Sequence, residues 1–227
     1  MDEAKKARNC FIGLHNSLSE IMLSEDVGIS IKEDKWERDE GGGGKTWAVS
    51  NGKWMEKGGI NFSDVQGENL PASATQNRPE LIGSRFRAMG VSVVFHPLSP
   101  HVPTAHANVR YFEATTRNGS KVWWFGGGFD LTPYYPIHED VVFWHESARS
   151  ACLPFGNELY PKFKKWCDEY FYLPHRGETR GVGGIFFDDF FKGGFENSLK
   201  FVRTVGETFG KAFFEIAEKR KNLDFSD

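Results

Sequence analysis

Three polar side chains recur at every second position of one short segment. His106, Asn108 and Arg110 alternate with apolar residues in the stretch 105–112. Side chains alternate between the two faces of a strand, so a strand here places all three on one face. An arginine in this setting can bind a ligand carboxylate through paired hydrogen bonds. His, Asn and Arg are poor strand formers compared with the Thr and Lys common on hydrated faces, which favours a binding site over a merely solvated surface.

A second segment supplies a partner for this strand. Residues 91–96 are rich in β-branched types, and the same alternation puts Ser92, Val94 and His96 on one face. If the two strands pair, Ser92 and His96 lie on the face that carries His106 and Arg110. The residues alone thus predict an anion-binding pocket on a sheet, in a chain with 15% aromatic residues.

The carboxylates near this pocket are less informative. Asp130 follows three glycines and precedes Leu-Thr-Pro, a context typical of a turn or cap residue. Asp188 and Asp189 are adjacent in a predicted strand, so we expect them to point to opposite faces and not to act as one dyad.

Four histidines are candidate metal ligands: His96, His106, His145 and His175. Their separations match no short ligand motif, and H-E-x-x-H is absent. His145 lies on the apolar stripe of a predicted helix, where a hydrogen-bonded core histidine is the simpler interpretation. Spacing alone therefore favours no metal.

The glycine-rich loops do not predict nucleotide binding. The Gly44-Lys45-Thr46 sequence would need glycine at position 39 to complete a phosphate-binding loop, and Asp39 stands there. The runs beginning at Gly126 and Gly181 lack the third glycine of the dinucleotide fingerprint. Turns or close backbone packing explain these glycines better.

Composition sets the class of protein. With 227 residues, 39% hydrophobic and 26% charged, the chain is long enough for one domain with a sizeable core. The net charge of -3, without a basic run, argues against nucleic acid, and no apolar stretch is long enough for a membrane span. The acidic N-terminus lacks a targeting signal, which predicts a soluble, cytoplasmic protein, and its three cysteines are expected to be reduced.

The elements that must position these residues follow from periodicity. Apolar residues at steps of three and four predict helices near residues 7–21, 139–152, 157–170 and from Asn197 or Ser198 onward. Strands are expected around an Asn51-Gly52 hairpin, at 91–96 and 105–112, at 122–125 up to the glycines, and at 184–190. Residues 63–79 are expected to form a surface loop. This order predicts an α+β fold with a largely antiparallel sheet covered by helices.

Eight segments together carry a family resemblance. They are GVSVVFHP (90–97), PHVPT (100–104), HANVRYF (106–112), WWFGGG (123–128), DLTP (130–133), YPKFKKWCD (160–168), HRGE (175–178) and GGIFFDD (183–189). In this order they closely resemble the oxygen-dependent coproporphyrinogen III oxidase family, from Gly41 to about Asp189 and more loosely to the end of the chain.

The resemblance implies an enzyme of haem biosynthesis that oxidatively decarboxylates two propionates of coproporphyrinogen III to vinyls, giving protoporphyrinogen IX. It implies dioxygen as co-substrate, no organic cofactor, a homodimer, and a large, flat, mainly antiparallel sheet flanked by α-helices on both faces. By matching position, Ser92, Asn108 and Arg110 are substrate contacts. His106 is the proton donor, and Asp130 is the carboxylate that holds the pyrrole N–H groups.

Two further features are implied by the resemblance. His96, His106, His145 and His175 match the positions assigned to a divalent metal in some bacterial members, whereas other members are metal-free. Family members also continue past the last predicted helix into segments that add strands, a substrate-binding arginine and dimer contacts. We therefore expect residues 1–227 to be a single domain that is incomplete at its C-terminus.

Two other functions stay open. A histidine-dependent metallohydrolase would use the four imidazoles and would need a stoichiometric metal but no dioxygen. A non-catalytic tetrapyrrole-binding fragment would use the aromatic and arginine surface and would still bind after loss of Asp130.

Overall fold

A computed structural model describes residues 2–70, 78–116 and 118–225. One α-helix precedes the first strand of a large sheet, and the other α-helices come after its sixth strand. The α-helices of these residues are α1 (Glu3–Glu25), α2 (His138–Cys152), α3 (Leu159–Tyr170) and α4 (Gly194–Arg220). The strands are β1 (Ser30–Glu37), β2 (Gly42–Ser50), β3 (Met55–Gly67), β4 (Arg85–Pro97), β5 (Thr104–Thr115), β6 (Lys121–Thr132), β7 (Tyr172–Leu173), β8 (Glu178–Thr179) and β9 (Gly183–Phe190).

Seven of these strands form one antiparallel sheet in the order β1-β2-β3-β4-β5-β6-β9. Neighbouring strands from β1 to β6 are also consecutive in the chain, and short connections join all of these pairs except β3 and β4. At the predicted Asn51-Gly52 turn, Asn51 has a φ of 56°, as tight hairpin turns require. The hairpin of β7 and β8 is separate and follows α3.

One side of the sheet, which we call the helix face, is covered by apolar packing. Ala107, Val109 and Tyr111 of β5 point to this side and are buried against α1 and α4. The aromatic rings of Phe95 and Phe213 stack there with centroids 4.9 Å apart. Such pairs stabilise a core by about 0.5–1.5 kcal/mol beyond their buried area.

Helix α4 also approaches α1 closely. A Cβ atom at Gly206 would lie 2.4 Å from Leu14 Cδ2, so the Leu14 side chain would have to move to admit a larger residue there. The interface holds both helices against the centre of the sheet and makes β4, β5 and β6 a rigid support.

The other side, which we call the polar face, holds the side chains singled out by the sequence. Ser92, His106, Asn108 and Arg110 are half-buried there. One end of the polar face is bordered by a small apolar cluster that includes Leu81, and the other end by the β7–β8 hairpin.

The α+β class and the antiparallel sheet are confirmed. Helices were expected on both faces, but in the described ranges α1, α2 and α4 pack on the helix face, and α3 lies beside the last strand, β9. This arrangement leaves the centre of the polar face accessible, as a binding surface requires.

Several sequence-based boundaries were wrong. Residues 63–67 continue β3 and do not belong to a loop, because they still pair with β4; residues 71–77 of that predicted loop lie outside the described residues. No strand was predicted at residues 32–37, which form edge strand β1. Helix α3 begins at Leu159 and not at 157, and helix α4 begins at Gly194, before the predicted start at Asn197 or Ser198.

Among the described residues, no helix is both long enough and apolar enough to cross a membrane.

Candidate active site

The strand register brings the predicted substrate contacts into one row. Asn108 lies directly opposite Ser92 of β4, and His106 is opposite Asp130 of β6. Arg110 follows Asn108 by two residues on the same face, as alternation predicts. Four of the five predicted residues thus face the same side by strand parity, and Asp130 joins them because β6 does not stop at its glycines.

Asp130 is the most buried carboxylate of this face, with 1% of its surface exposed. Its Oδ1 accepts a hydrogen bond from His106 Nδ1 at 2.9 Å. Arg180 donates from Nε to Oδ2 at 3.0 Å and from Nη2 to Oδ1 at 2.9 Å, a bidentate pair. Such charge-assisted bonds supply donors to both oxygens of this buried carboxylate.

Phe171, which precedes the β7–β8 hairpin, packs on this assembly. The Arg180 guanidinium carbon lies 3.9 Å from the centroid of the Phe171 ring, within cation–π range. The ring meets the imidazole of His106 edge-on at 6.0 Å. Phe171 thereby limits the movement of the two groups that contact Asp130.

A cleft of about 770 Å³ opens over this assembly. Its lining includes His96, His106, Asp130 and Arg180, together with Tyr134. The volume is in the range of small-molecule sites, and the lining combines an aromatic ring with a few placed polar groups.

Arg110 stands at the other end of the row. Its Nη1 donates to Asn108 Oδ1 at 3.2 Å, and its Nη2 lies 2.9 Å from Asp188 Oδ2. The pair lies directly over a glycine: a Cβ atom at Gly126 would lie 2.4 Å from Asp188 Oδ1 and 2.8 Å from Arg110 Nε, so a larger residue would displace one of them. The glycine run of β6 therefore makes room for side chains from both neighbouring strands.

Asp188 and Asp189 do not point to opposite faces, and the sequence-based expectation is wrong here. The pairing of β6 with β9 shifts register between Phe125 and Gly127, and Asp189 adopts a φ of 51°. This bulge turns both carboxylates toward arginines: Asp188 contacts Arg110, and Asp189 accepts from Arg78 Nη2 at 2.7 Å.

The four candidate metal-binding histidines are not brought together. His145 lies on α2, where Nε2 is 3.0 Å from the Val182 carbonyl oxygen and Nδ1 is 3.1 Å from the Tyr160 hydroxyl. Burial lowers its pKa, as expected for a neutral core histidine. His175 is exposed on the turn of the β7–β8 hairpin.

Over residues 2–70, 78–116 and 118–225, no three His, Cys, Asp or Glu side chains cluster closely enough to hold a metal ion. The four imidazoles do not fit a common ligand set, and no step below is routed through a metal.

Two groups of this face were missed by sequence reasoning. Arg180 lies in a loop without periodicity, and only the fold brings it to Asp130, fifty residues earlier. Arg78 reaches Asp189 across 111 positions. No local spacing signals such contacts, although an arginine beside the Gly181-x-Gly183 turn could have been considered.

The comparison with known families agrees with the site. The sequence model described as coproporphyrinogen III oxidase matches residues 6–227, nearly the whole chain. The match covers α1 from residue 6 onward, the complete seven-stranded sheet and every polar-face residue named above. The chain therefore belongs to the coproporphyrinogen III oxidase family, oxidoreductases that act on coproporphyrinogen in porphyrin and haem biosynthesis.

Proposed function

We propose that this chain catalyses the dioxygen-dependent conversion of two propionates of coproporphyrinogen III to vinyls, giving protoporphyrinogen IX. For each propionate, the C–C bond to the carboxylate breaks and its electron pair becomes the vinyl π bond. The carbon next to the ring gives up a hydride equivalent to dioxygen. Addition of one proton then yields hydrogen peroxide, and carbon dioxide leaves.

The observation that carries the proposal is the row on β5. It puts a histidine that is oriented by a buried carboxylate and an arginine suited to a carboxylate on one face, four residues apart. A substrate with several propionates offers one carboxylate to Arg110 while another lies at the cleft of His106. Ser92 and Asn108 lie between these ends and can bind polar groups of the same molecule.

His106 is proposed as the proton-transfer group. Its Nδ1–H is bound by Asp130, so in this orientation Nε2 is the nitrogen available to substrate at the cleft. A carboxylate that fixes the tautomer and orientation of an imidazole is a general arrangement for acid–base catalysis. In this role His106 supplies or removes the proton that the balance of the reaction requires.

Asp130 is proposed to hold the pyrrole N–H groups of the substrate, as the family resemblance implies. In the free protein, Oδ1 and Oδ2 are already engaged by His106 and Arg180. A carboxylate has about four acceptor positions, and these bonds use most of them. We therefore expect the binding of pyrrole N–H groups to require that Arg180 release one oxygen of Asp130. Phe171 and the β7–β8 hairpin, which lie next to Arg180, would then move with it.

The cysteines support dioxygen as the electron acceptor. An oxygen-independent reaction needs another acceptor, and the iron–sulfur clusters used in radical chemistry are held by closely spaced thiolates. Cys10, Cys152 and Cys167 are far apart in the sequence. Burial raises the pKa of the Cys10 thiol to about 11 and those of Cys152 and Cys167 to about 12, which disfavours thiolates.

The test is turnover of freshly reduced coproporphyrinogen III by the full chain, with and without air. After incubation, the porphyrinogens of both samples are oxidised to porphyrins, separated and measured by fluorescence; hydrogen peroxide is measured before this step, against a sample without protein. We expect protoporphyrin only in the sample incubated in air, with two protein-dependent peroxides for each product formed. Product in strict anaerobiosis would overturn the dioxygen dependence.

The alternative is a non-catalytic tetrapyrrole-binding fragment. It predicts binding of the porphyrin without product, and binding that survives Asp130→Ala. Binding with no aerobic product would therefore favour this function over the proposed reaction.

A further inference from the structure

Two arginine–aspartate pairs lie side by side at the β6–β9 end of the polar face. Arg110 Nη2 is 2.9 Å from Asp188 Oδ2, and Arg78 Nη2 is 2.7 Å from Asp189 Oδ1. The two aspartates are consecutive in the bulge of β9, so the two arginine–aspartate pairs are neighbours at this end of the face. At about 3.3 Å per residue, this end lies about 13 Å along β5 from His106.

Arg78 is held in place by more than its carboxylate. Its guanidinium carbon lies 4.1 Å from the centroid of the Trp124 ring, on the polar face of β6. Its side chain is 22% exposed, so the charged group is fixed but not enclosed. A guanidinium fixed by an aromatic face and one carboxylate loses little further freedom when it binds an anion.

Neither arginine has all of its N–H donors engaged by its aspartate. A guanidinium has five N–H donors. Among the described residues, Arg110 donates to Asn108 and forms an ion pair with Asp188, and Arg78 donates to Asp189. The remaining donors suit a ligand carboxylate, which arginine binds by two parallel hydrogen bonds.

A further atom at this place lacks a partner. Asp188 Oδ1 is buried and has no hydrogen-bond donor within the part of the chain described. A buried acceptor without a donor is costly, and such atoms in native proteins call for an explanation. The orphaned oxygen marks this end of the polar face as a place where a group outside the described chain can be bound.

We propose that Arg78 is a second binding residue for a substrate carboxylate, beside Arg110, and that Asp188 and Asp189 are positioning residues that fix the two guanidiniums. This pair, the arginine clamp, holds a propionate that is not reacting while another lies at His106. The inference rests on the proposed function, because that function supplies a substrate with several carboxylates. The clamp makes the protein specific for tetrapyrroles that keep a carboxylate at this distance from the reacting one.

The clamp is tested by fluorescence titration with coproporphyrin III, the stable oxidised ring system. Arg78→Ala is expected to weaken binding about tenfold, the size of one charge-assisted contact, and Arg78→Lys to restore part of it. Coproporphyrin III methyl ester, which lacks the carboxylates, is expected to bind Arg78→Ala and the unaltered chain alike. The matched control is Arg85→Ala, which removes an exposed arginine paired with Glu68 and should change affinity less than twofold.

The positioning role has its own readout. Asp189→Ala leaves the charge of Arg78 but removes its support, so KM is expected to rise several-fold with kcat nearly unchanged. Asp189→Asn keeps one oxygen acceptor and is expected to recover part of the loss. A purely structural role would lower the amount of folded protein without this split between KM and kcat.

The outcomes separate the two proposals. Equal affinities of Arg78→Ala and Arg85→Ala for coproporphyrin III, or an unaltered chain that does not bind it, would overturn the clamp. A chain that binds with the predicted Arg78 dependence but makes no product in air would overturn the proposed function and leave the clamp standing.

Discussion

His106 Nδ1 lies 2.9 Å from Asp130 Oδ1, across directly opposed positions of β5 and β6. The contact determines which ring nitrogen faces the cleft. A carboxylate can only accept a hydrogen bond, so Nδ1 carries the hydrogen that Asp130 binds and Nε2 is left for the cleft. It depends on an unbroken β6, since Asp130 reaches His106 only if the glycines before it stay in the strand.

Removal of the charge of Asp130 is expected to lower kcat far more than it lowers stability. Asp130→Asn keeps the shape of the side chain but weakens its hold on His106 and Arg180, so we expect kcat to fall about 100-fold or more, the scale of lost acid–base catalysis. Steady-state kinetics under air measures this change.

Asp64 offers a matched control for that variant. It is also buried and also accepts two hydrogen bonds from one arginine, Arg87, but it lies on the helix face. Asp64→Asn is expected to destabilise the protein and to leave kcat of the folded fraction nearly unchanged. Equal losses of kcat in both variants would show that Asp130 acts only through stability.

Arg180 and Asp130 are expected to be energetically coupled. Arg180→Ala leaves a buried carboxylate with fewer donors, and we expect the free energy of unfolding to fall by about 1–3 kcal/mol. In a double-mutant cycle with Asp130→Asn, the second change should cost much less than it does alone. Urea titrations of the four proteins measure the coupling. If the two losses in free energy of unfolding simply added, Arg180 and Asp130 would not be energetically coupled.

Strand alternation was enough to place Ser92, His106, Asn108 and Arg110 correctly. A one-residue change of register would bury these polar groups in the core, so the apolar positions between them determine the face. The same rule failed for Asp189, because a bulge reverses the direction of one side chain and leaves no composition signal.

Asp130 shows a second limit of sequence reasoning. Three glycines before it predicted the end of a strand, since glycine is a weak strand former. In the fold, the side chains of Arg110 and Asp188 meet above Gly126 and would have to move to admit a Cβ atom there. This contact involves residues distant in sequence and cannot be predicted from the glycine run itself. Arg180 was also missed because its partner, Asp130, is distant in the sequence.

Gly126→Ala is expected to weaken substrate binding. The new Cβ atom would overlap Asp188 Oδ1 and Arg110 Nε, so the pair must separate, at a cost of about 1–3 kcal/mol for overpacking. We expect KM for coproporphyrinogen to rise about tenfold, measured by aerobic kinetics.

The control for this variant is Gly59→Ala. Gly59 is a strand glycine whose added Cβ would meet nothing closer than 3.5 Å. It should leave KM within about twofold, because it makes no overlap of this kind. If Gly126→Ala also kept its KM, the Arg110–Asp188 pair would have no part in binding.

The stability of the protein is expected to fall below about pH 6.5, in part through His15. This residue is 1% exposed between α1 and the sheet, and its Nε2 lies 3.2 Å from the Ile60 carbonyl oxygen. Burial lowers its pKa in the folded state, whereas in the unfolded chain it titrates near the ordinary value of about 6.5. As pH falls below that value, the unfolded chain binds a proton before the folded chain does, so the free energy of unfolding decreases with falling pH.

Thermal unfolding between pH 8 and pH 5.5 measures the slope of stability against pH, which should be smaller in His15→Gln. It should be unchanged in His138→Gln, which alters an exposed histidine. An equal slope in His15→Gln and the unaltered chain would assign the pH dependence to other groups.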